Sequence, residues 1–199
     1  MSDLSAPNSH GLMASNAKVR KNIGTPAAER DHYYRTPPKC TQALFARESF
    51  GPVIWEPSCG DGAIAKVAEA NGYRVVASDL IDRGYGEPAQ DFLLCQTMAA
   101  PDMVINPPFR LADEFVTHAW RLGCSKIAVF QRLAWLEGRA RHATIFSVLP
   151  LARVWVFCGR QTLWRGDDPE PKEKGGAIPF AWFVFDCDRV GAPAIGWIP

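Results

Sequence analysis

The stretch from Val53 to Asp79 constrains the fold of this chain more than any other. The apolar triplet Val53-Ile54-Trp55 runs into Glu-Pro-Ser-Cys-Gly-Asp-Gly, then into the alanine-rich segment Ala63 to Ala70, then into Tyr73-Arg74-Val75-Val76-Ala77-Ser78-Asp79. Strand, glycine turn, helix and strand within about 30 residues make a βαβ unit, whose two strands lie parallel. The alternation continues downstream. Asp102-Met103-Val104-Ile105 reads as a short buried strand ending at Asn106-Pro107-Pro108-Phe109, with a helix over 110–122; Lys126 to Phe130 is another strand, a helix follows near 138–148, and Arg153 to Phe157 is one more strand. This pattern predicts an α/β, Rossmann-like fold: a mostly parallel sheet with helices on both faces. Arg153–Phe157 and Ala181–Phe185 are joined by a polar connection with no evident helix, so an antiparallel C-terminal strand is expected.

Around this frame the text changes character. Residues 1–30 are rich in Ser, Asn, Ala and Lys without periodicity and read as a flexible N-terminal arm, leaving 31–199 as one domain. Thr36, ahead of Pro37-Pro38, is placed to cap a helix over 38–49. The connection Gly159 to Pro179 carries Trp164, glycines, prolines and charges of both signs; it exceeds the usual loop length, which points to a functional or mobile segment.

Charge and cysteine usage exclude several classes. Lys+Arg 22 against Asp+Glu 21 leaves a formal charge of +1, so the chain is not coated with basic groups for nucleic acid, and any such binding depends on where charges sit. No apolar run is long enough to span a bilayer and no signal-peptide pattern opens the chain, which predicts no membrane partner and a cytoplasmic location. Six cysteines at 40, 59, 95, 124, 158 and 187 form no CxxC pair, and His32, His118 and His142 lack metal spacing; reduced thiols and no metal site are expected.

In a parallel sheet, ligands bind beyond the carboxyl ends of the strands. Five segments reach that rim: Glu56 to Gly62, Asp79, Asn106 to Phe109, Gln131-Arg132, and the departing 159–179 connection. Gly60 and Gly62 let backbone approach a ligand closely, and Asp79 follows at a distance suited to ribose hydroxyls. Gly60-Asp61-Gly62-Ala63-Ile64-Ala65 also fits a loose dinucleotide pattern, so these residues alone leave a nicotinamide enzyme open. Asn106-Pro107-Pro108-Phe109 separates the readings. Two prolines after a buried strand stiffen the backbone and remove donors, so that carbonyl oxygens project into the cleft. An amide oxygen beside such a carbonyl offers two acceptors to one NH2 group. Held that way, an exocyclic amine whose lone pair is delocalised into a purine ring can pyramidalise and attack a methyl group. Phe109 offers a face for stacking an extruded base, at about 1–3 kcal/mol, against the few kcal/mol that unstacking costs.

Asn-Pro-Pro-Phe after the central strand, with Glu-Pro-Ser-Cys-Gly-Asp-Gly upstream, resembles the S-adenosylmethionine-dependent class I amino-methyltransferases that make N6-methyladenine in DNA. Tyr-Arg-Thr-Pro-Pro, Ala-Ser-Asp-Leu-Ile-Asp-Arg-Gly-Tyr and Phe-Ala-Trp-Phe-Val-Phe-Asp are similar to small phage and prophage members, over about residues 31–187. The resemblance implies transfer of the methyl group of S-adenosylmethionine to adenine N6 in DNA by direct in-line attack. It places Glu56, Pro57, Ser58, Gly60, Asp61 and Gly62 on the methionine part of the cofactor, Asp79 and Leu80 at its ribose, Asp91 and Phe92 at its adenine, and Thr36 near its carboxylate. Asn106 and the Pro107 carbonyl hold the target amine, Pro108 stiffens the turn, Phe109 stacks on the base, and Asn106 also borders the cofactor. The order of the two motifs resembles the gamma arrangement. Restriction enzymes of the family carry a sizeable target-recognition domain; here only the arm and the 159–179 connection are available, so specificity is expected to be short or relaxed. Asp91 follows Asp79 so closely that a third strand has little room, and a loop acid capping the next turn is the plain alternative for it.

Between residues 110 and 142, six basic residues face three acidic ones, and Arg110, Arg132 and Trp135 are the candidates for phosphate and base contacts. The Trp182, Phe183, Phe185 cluster reads as core. Cytosine C5 methylation is excluded, because no Pro-Cys pair exists to supply its nucleophile. RNA, a protein glutamine amide and a non-catalytic cofactor-binding module stay open as alternatives.

Overall fold

The apolar runs all enter a single sheet. The computed structural model describes residues 33–166 and 176–199; the arm expected over 1–30, His32 and the middle of the 159–179 connection lie outside the described residues. A two-residue strand β1 (Tyr34–Arg35) and helix α1 (Pro38–Phe45) precede the βαβ unit of β2 (Val53–Glu56), α2 (Ala63–Ala70) and β3 (Arg74–Ala77). Then come β4 (Asp102–Ile105), α3 (Ala112–Leu122), β5 (Lys126–Arg132), the short α4 (Arg139–Arg141), β6 (Leu151–Phe157), β7 (Trp164–Arg165), β8 (Phe180–Asp186) and β9 (Ala194–Ile198). The main sheet has seven strands in the order β3-β2-β4-β5-β8-β6-β9. All neighbours are parallel except β8, which runs antiparallel to both β5 and β6. β1 and β7 form a separate antiparallel ladder, Tyr34 opposite Arg165 and Arg35 opposite Trp164.

Two cores follow from strand alternation. On one face Ile54, Val104, Ala128, Phe130, Trp182 and Val184 meet Cys40 and Leu44 of α1 and Ile64 and Ala68 of α2. On the other, Trp55, Met103, Ile105, Ile127, Val129 and Phe183 meet Phe115, Val116 and Ala119 of α3. The Rossmann-like arrangement with helices on both faces and an antiparallel C-terminal strand is therefore the observed fold. Trp182, Phe183 and Phe185 are fully buried as expected, and the Trp182 indole donates to the Cys40 carbonyl at 2.8 Å, joining β8 to α1. All six cysteines are free. Among the described residues no helix is long and apolar enough to cross a membrane.

Several boundaries differ from the reading of the sequence. Thr36 is not the cap of α1. Pro37 occupies that position without a side-chain cap and Pro38 opens the helix, so fixed proline φ angles replace the hydroxyl. The helix ends at Phe45 rather than 49, which frees Glu48 to turn under the sheet. Gln131 and Arg132 belong to β5 itself, opposite Ala181 and Phe180. The helix expected near 138–148 is one α turn followed by a π turn over His142–Phe146, closed by the Ser147 amide donating to the His142 carbonyl. β9 was not anticipated, because Pro193 and Gly196 break its apolar pattern; the Trp155 ring occupies the space where a Cβ on Gly196 would be, so that glycine is required by packing.

Opposite the rim, at the start of the parallel strands, Glu48 is buried in an ion cluster. It accepts from Arg153 Nη2 at 2.9 Å and Trp155 Nε1 at 2.8 Å and pairs with Lys126 at 2.7 Å. Arg153 also reaches Asp186 at 2.7 Å.

Candidate active site

The turn after β2 is shaped by its glycines. Gly60 and Gly62 have positive φ values of 58° and 80°, a region that favours glycine. A Cβ on Gly62 would stand 2.5 Å from the Tyr85 ring. Asp79, at the end of β3, braces the turn: Oδ2 accepts from the Gly60 amide at 2.7 Å and Oδ1 from the Ile81 amide at 3.0 Å. Arg35 pairs with Asp61 at 2.8 Å, tying β1 to the same turn. Pro57 is buried and Ser58 half-buried, and the Ser58 hydroxyl reaches the Asn106 carbonyl at 3.5 Å. The two segments singled out independently in the sequence are thus in contact.

Glu56 is the electrostatic centre of the turn. It is 2% exposed, and its Oε2 is buried without a partner. Burial pushes its carboxyl well above the ordinary carboxylate range; the Ala65 amide opposes this, while the charges of Asp79, Asp61 and Glu69 add to it. An unpaired buried carboxyl among other acids suits a cationic ligand group, which would ionise it and fill its vacant acceptor. The ammonium and sulfonium of S-adenosylmethionine have that character, so the donor set fits this cofactor. Burial and the neighbouring Glu56 and Asp79 also push the Cys59 thiol up to about 12, so this thiol is not a nucleophile.

Beyond β4, Asn106 is held in one orientation. Its Nδ2 donates to the Tyr34 carbonyl at 2.9 Å and to Thr36 Oγ1 at 3.0 Å. With both amide hydrogens taken by acceptors, the oxygen is assigned to the other side, where Oδ1 is buried and has no partner. Pro107 is buried and Pro108 half-buried. Phe109 is wedged: its ring stacks on Tyr34 (centroids 5.5 Å, 21° between planes), leans on Phe180 at 5.8 Å, and has the Arg132 guanidinium 4.8 Å from its centre. Gln131, 2% exposed, folds its Oε1 back onto the Arg132 amide at 2.8 Å and reaches the Phe109 carbonyl through Nε2 at 3.5 Å.

The remaining expected residues separate into two groups. Thr36 meets Asn106, and Arg132 and Arg110 are exposed beside the proline turn. Leu80 is 40% exposed at the rim. Asp91 does cap the next turn, accepting from the Leu93 amide at 3.0 Å. The Phe92 ring is 2% exposed and packs on Trp55 and Phe115, so the ring is core rather than cofactor wall. Trp135 is a correction. It is 5% exposed, donates to Asp113 at 2.6 Å and packs edge-on against Phe146 and Phe183. An aromatic just past a rim strand reads as a base contact, but the turn after β5 carries it back over the α3 core. His118 is likewise a packing residue, bonded to the Cys95 carbonyl at 3.1 Å. Tyr34 and Tyr85 escaped the sequence reading; only the three-dimensional juxtaposition with Phe109 and Gly62 identifies them.

No protein-family model matches this chain, and no curated protein does. Solved structures do. A modification subunit of a provisionally assigned type I restriction enzyme from Vibrio vulnificus superposes with a TM-score of 0.55 at 12% identity, covering 94% of this chain and 51% of that one. A provisionally assigned RNA methyltransferase from Pyrococcus horikoshii gives 0.58 at 15% identity, over 77% of this chain and 85% of that one. The 23S rRNA methyltransferase ErmE gives 0.51 at 16% identity, over 81% and 71%. The chain thus spans about half the length of the restriction subunit, and it shares the fold of methyltransferases.

Proposed function

We propose that this protein transfers the methyl group of S-adenosylmethionine to the N6 amine of adenine in DNA. One observation carries the reading: Asn106, fixed by Tyr34 and Thr36 through both amide hydrogens, keeps an unpartnered oxygen beside the Pro107-Pro108 turn. The buried Glu56 carboxyl, the Asp61 and Asp79 acids and the left-handed glycines support the cofactor assignment. Bound S-adenosylmethionine supplies an electrophilic methyl group on a positively charged sulfur. Glu56, Ser58, Gly60, Asp61, Gly62 and Asp79 are the residues that would hold it, with Thr36 and Asp91 at its two ends.

Asn106 Oδ1 and the Pro107 carbonyl accept the two hydrogens of the target amine. This localises its lone pair and orients it for in-line attack. Rate then comes from positioning and fixed dipoles. Asn106 has no titratable group, so the proton released by the methylated nitrogen leaves to water. Arg110 and Arg132 are exposed beside the proline turn and suit contacts to phosphate. The restriction-subunit neighbour, which overlays nearly the whole chain, supports DNA; the RNA methyltransferase neighbours support RNA as the second reading.

Incubation with labelled S-adenosylmethionine and DNA, RNA and protein acceptors, followed by digestion, separates these. Label is expected in N6-methyldeoxyadenosine. Asn106→Ala should lower the rate by about 10²–10³, the effect of losing one preorganised polar group, with cofactor binding retained. Label confined to RNA or to glutamine overturns the substrate, and an undiminished rate in Asn106→Ala overturns the mechanism.

A further inference from the structure

The catalytic turn carries an aromatic contact that the mechanism above leaves unused. Tyr34 lies on Phe109, the residue assigned to base stacking, with ring centroids 5.5 Å apart and planes 21° from parallel. The same residue's carbonyl accepts from Asn106 Nδ2 at 2.9 Å, so the root of the ring is fixed relative to the amide. The other side of that amide, Oδ1, is buried and has no partner. An acceptor that must receive an amine is therefore closed in the base-free protein.

We propose that Tyr34 is the second wall of the base pocket: an extruded purine enters between Tyr34 and Phe109, which in its absence collapse onto each other. This rests on the function proposed above and adds the residue that selects a flat heterocycle for it. A base between two rings needs their planes about 7 Å apart, two carbon contact distances. The ring centroids stand 5.5 Å apart in the base-free protein, so the rings must separate before a base fits between them. Phe109 is backed by Phe180 at 5.8 Å and is not the ring that moves. Tyr34 sits in β1, whose ladder to β7 is two residue pairs long and separate from the seven-stranded sheet; its backbone stays bonded to Asn106 and the ring swings about its own side-chain torsions, which leaves the core intact. Entry exchanges one Tyr–Phe stack for two base–aromatic stacks. A glutamine side chain, whose amide is planar but carries no aromatic ring, gains less from such a slot.

The test uses the full-length protein and a single-stranded pyrimidine DNA oligonucleotide carrying one 2-aminopurine. With the wild type, the bound probe is expected to stay quenched between two rings. With Tyr34→Ala, emission of the bound probe should rise several-fold and affinity should fall roughly 5- to 150-fold, the range for losing one base–aromatic stack. Tyr34→Trp should restore both, and the thermal midpoint reports folding of each variant. Unchanged emission and affinity in Tyr34→Ala, tighter binding by it, or no bound signal with the wild type overturns the wall. Methyl transfer is scored separately on the same oligonucleotide with adenine in place of 2-aminopurine. A Tyr34-dependent quench without transfer supports the wall and overturns the proposed reaction; transfer with a Tyr34-independent signal does the reverse.

Discussion

Glu56 illustrates how one buried side chain can give a ligand site a pH signature. Its carboxyl titrates well above its ordinary value of 4.5, first because it is buried and then because other acids surround it. The folded protein therefore holds a proton that the unfolded chain releases at lower pH, and cofactor-free stability falls as pH rises above the ordinary carboxylate range. Glu56→Gln should flatten this slope, measured as the thermal midpoint from about pH 5 to 8. The same variant should weaken S-adenosylmethionine binding roughly ten- to a hundredfold, as loss of a charged hydrogen bond does; isothermal titration checks this. Residue types at the rim were readable because the chemistry demands them: a glycine turn, a strand-end acid, an amide before two prolines. Trp135 and Phe92 were misplaced for a physical reason. An aromatic near a rim serves equally well as wall or as core, and which it becomes depends on a turn only one or two residues long.

At the level of elements, the glycine turn between β2 and α2 is the most exacting join. Gly62 combines a positive φ of 80° with the Tyr85 ring directly over its α-carbon. Gly62→Ala adds a left-handed backbone cost of about 1–2 kcal/mol to a clash. Strain and overpacking together should destabilise the protein by roughly 2–5 kcal/mol and lower cofactor affinity, read by urea denaturation and titration. Long periodic elements such as α3 and β4 were legible within a residue or two, since alternation and helical spacing are local properties. The two-residue ladder of β1 and β7 and the edge strand β9 were not. Each depends on a partner far away in sequence, and β9 follows Pro193 and contains Gly196, which local propensity argues against.

For the whole molecule, the sheet separates the candidate site from its anchoring. The rim holds the glycine turn, Asn106 and Phe109, whereas the opposite ends of the strands hold the Glu48 cluster, which links the segment before β2 to β5, β6 and β8. Burial alone would lift the Glu48 carboxyl; hydrogen bonds from Arg153, Lys126 and Trp155 outweigh it and hold the carboxyl below the ordinary range. Its stabilising effect is present above that range and lost as pH falls. Glu48→Gln leaves two cations short of a buried partner and should cost about 3–5 kcal/mol in urea unfolding, while the kcat of the remaining folded protein stays near that of the wild type.

β8 is the strand on which assembly turns. It lies wholly inside the sheet, sandwiched between β5 and β6, yet both of these neighbours are made before it. During synthesis the two neighbours wait, each with an open hydrogen-bonding edge, until Phe180–Asp186 has left the ribosome. A chain cut short before that point has a slot at the centre of its sheet and is expected to be a target for proteolysis rather than a smaller folded protein.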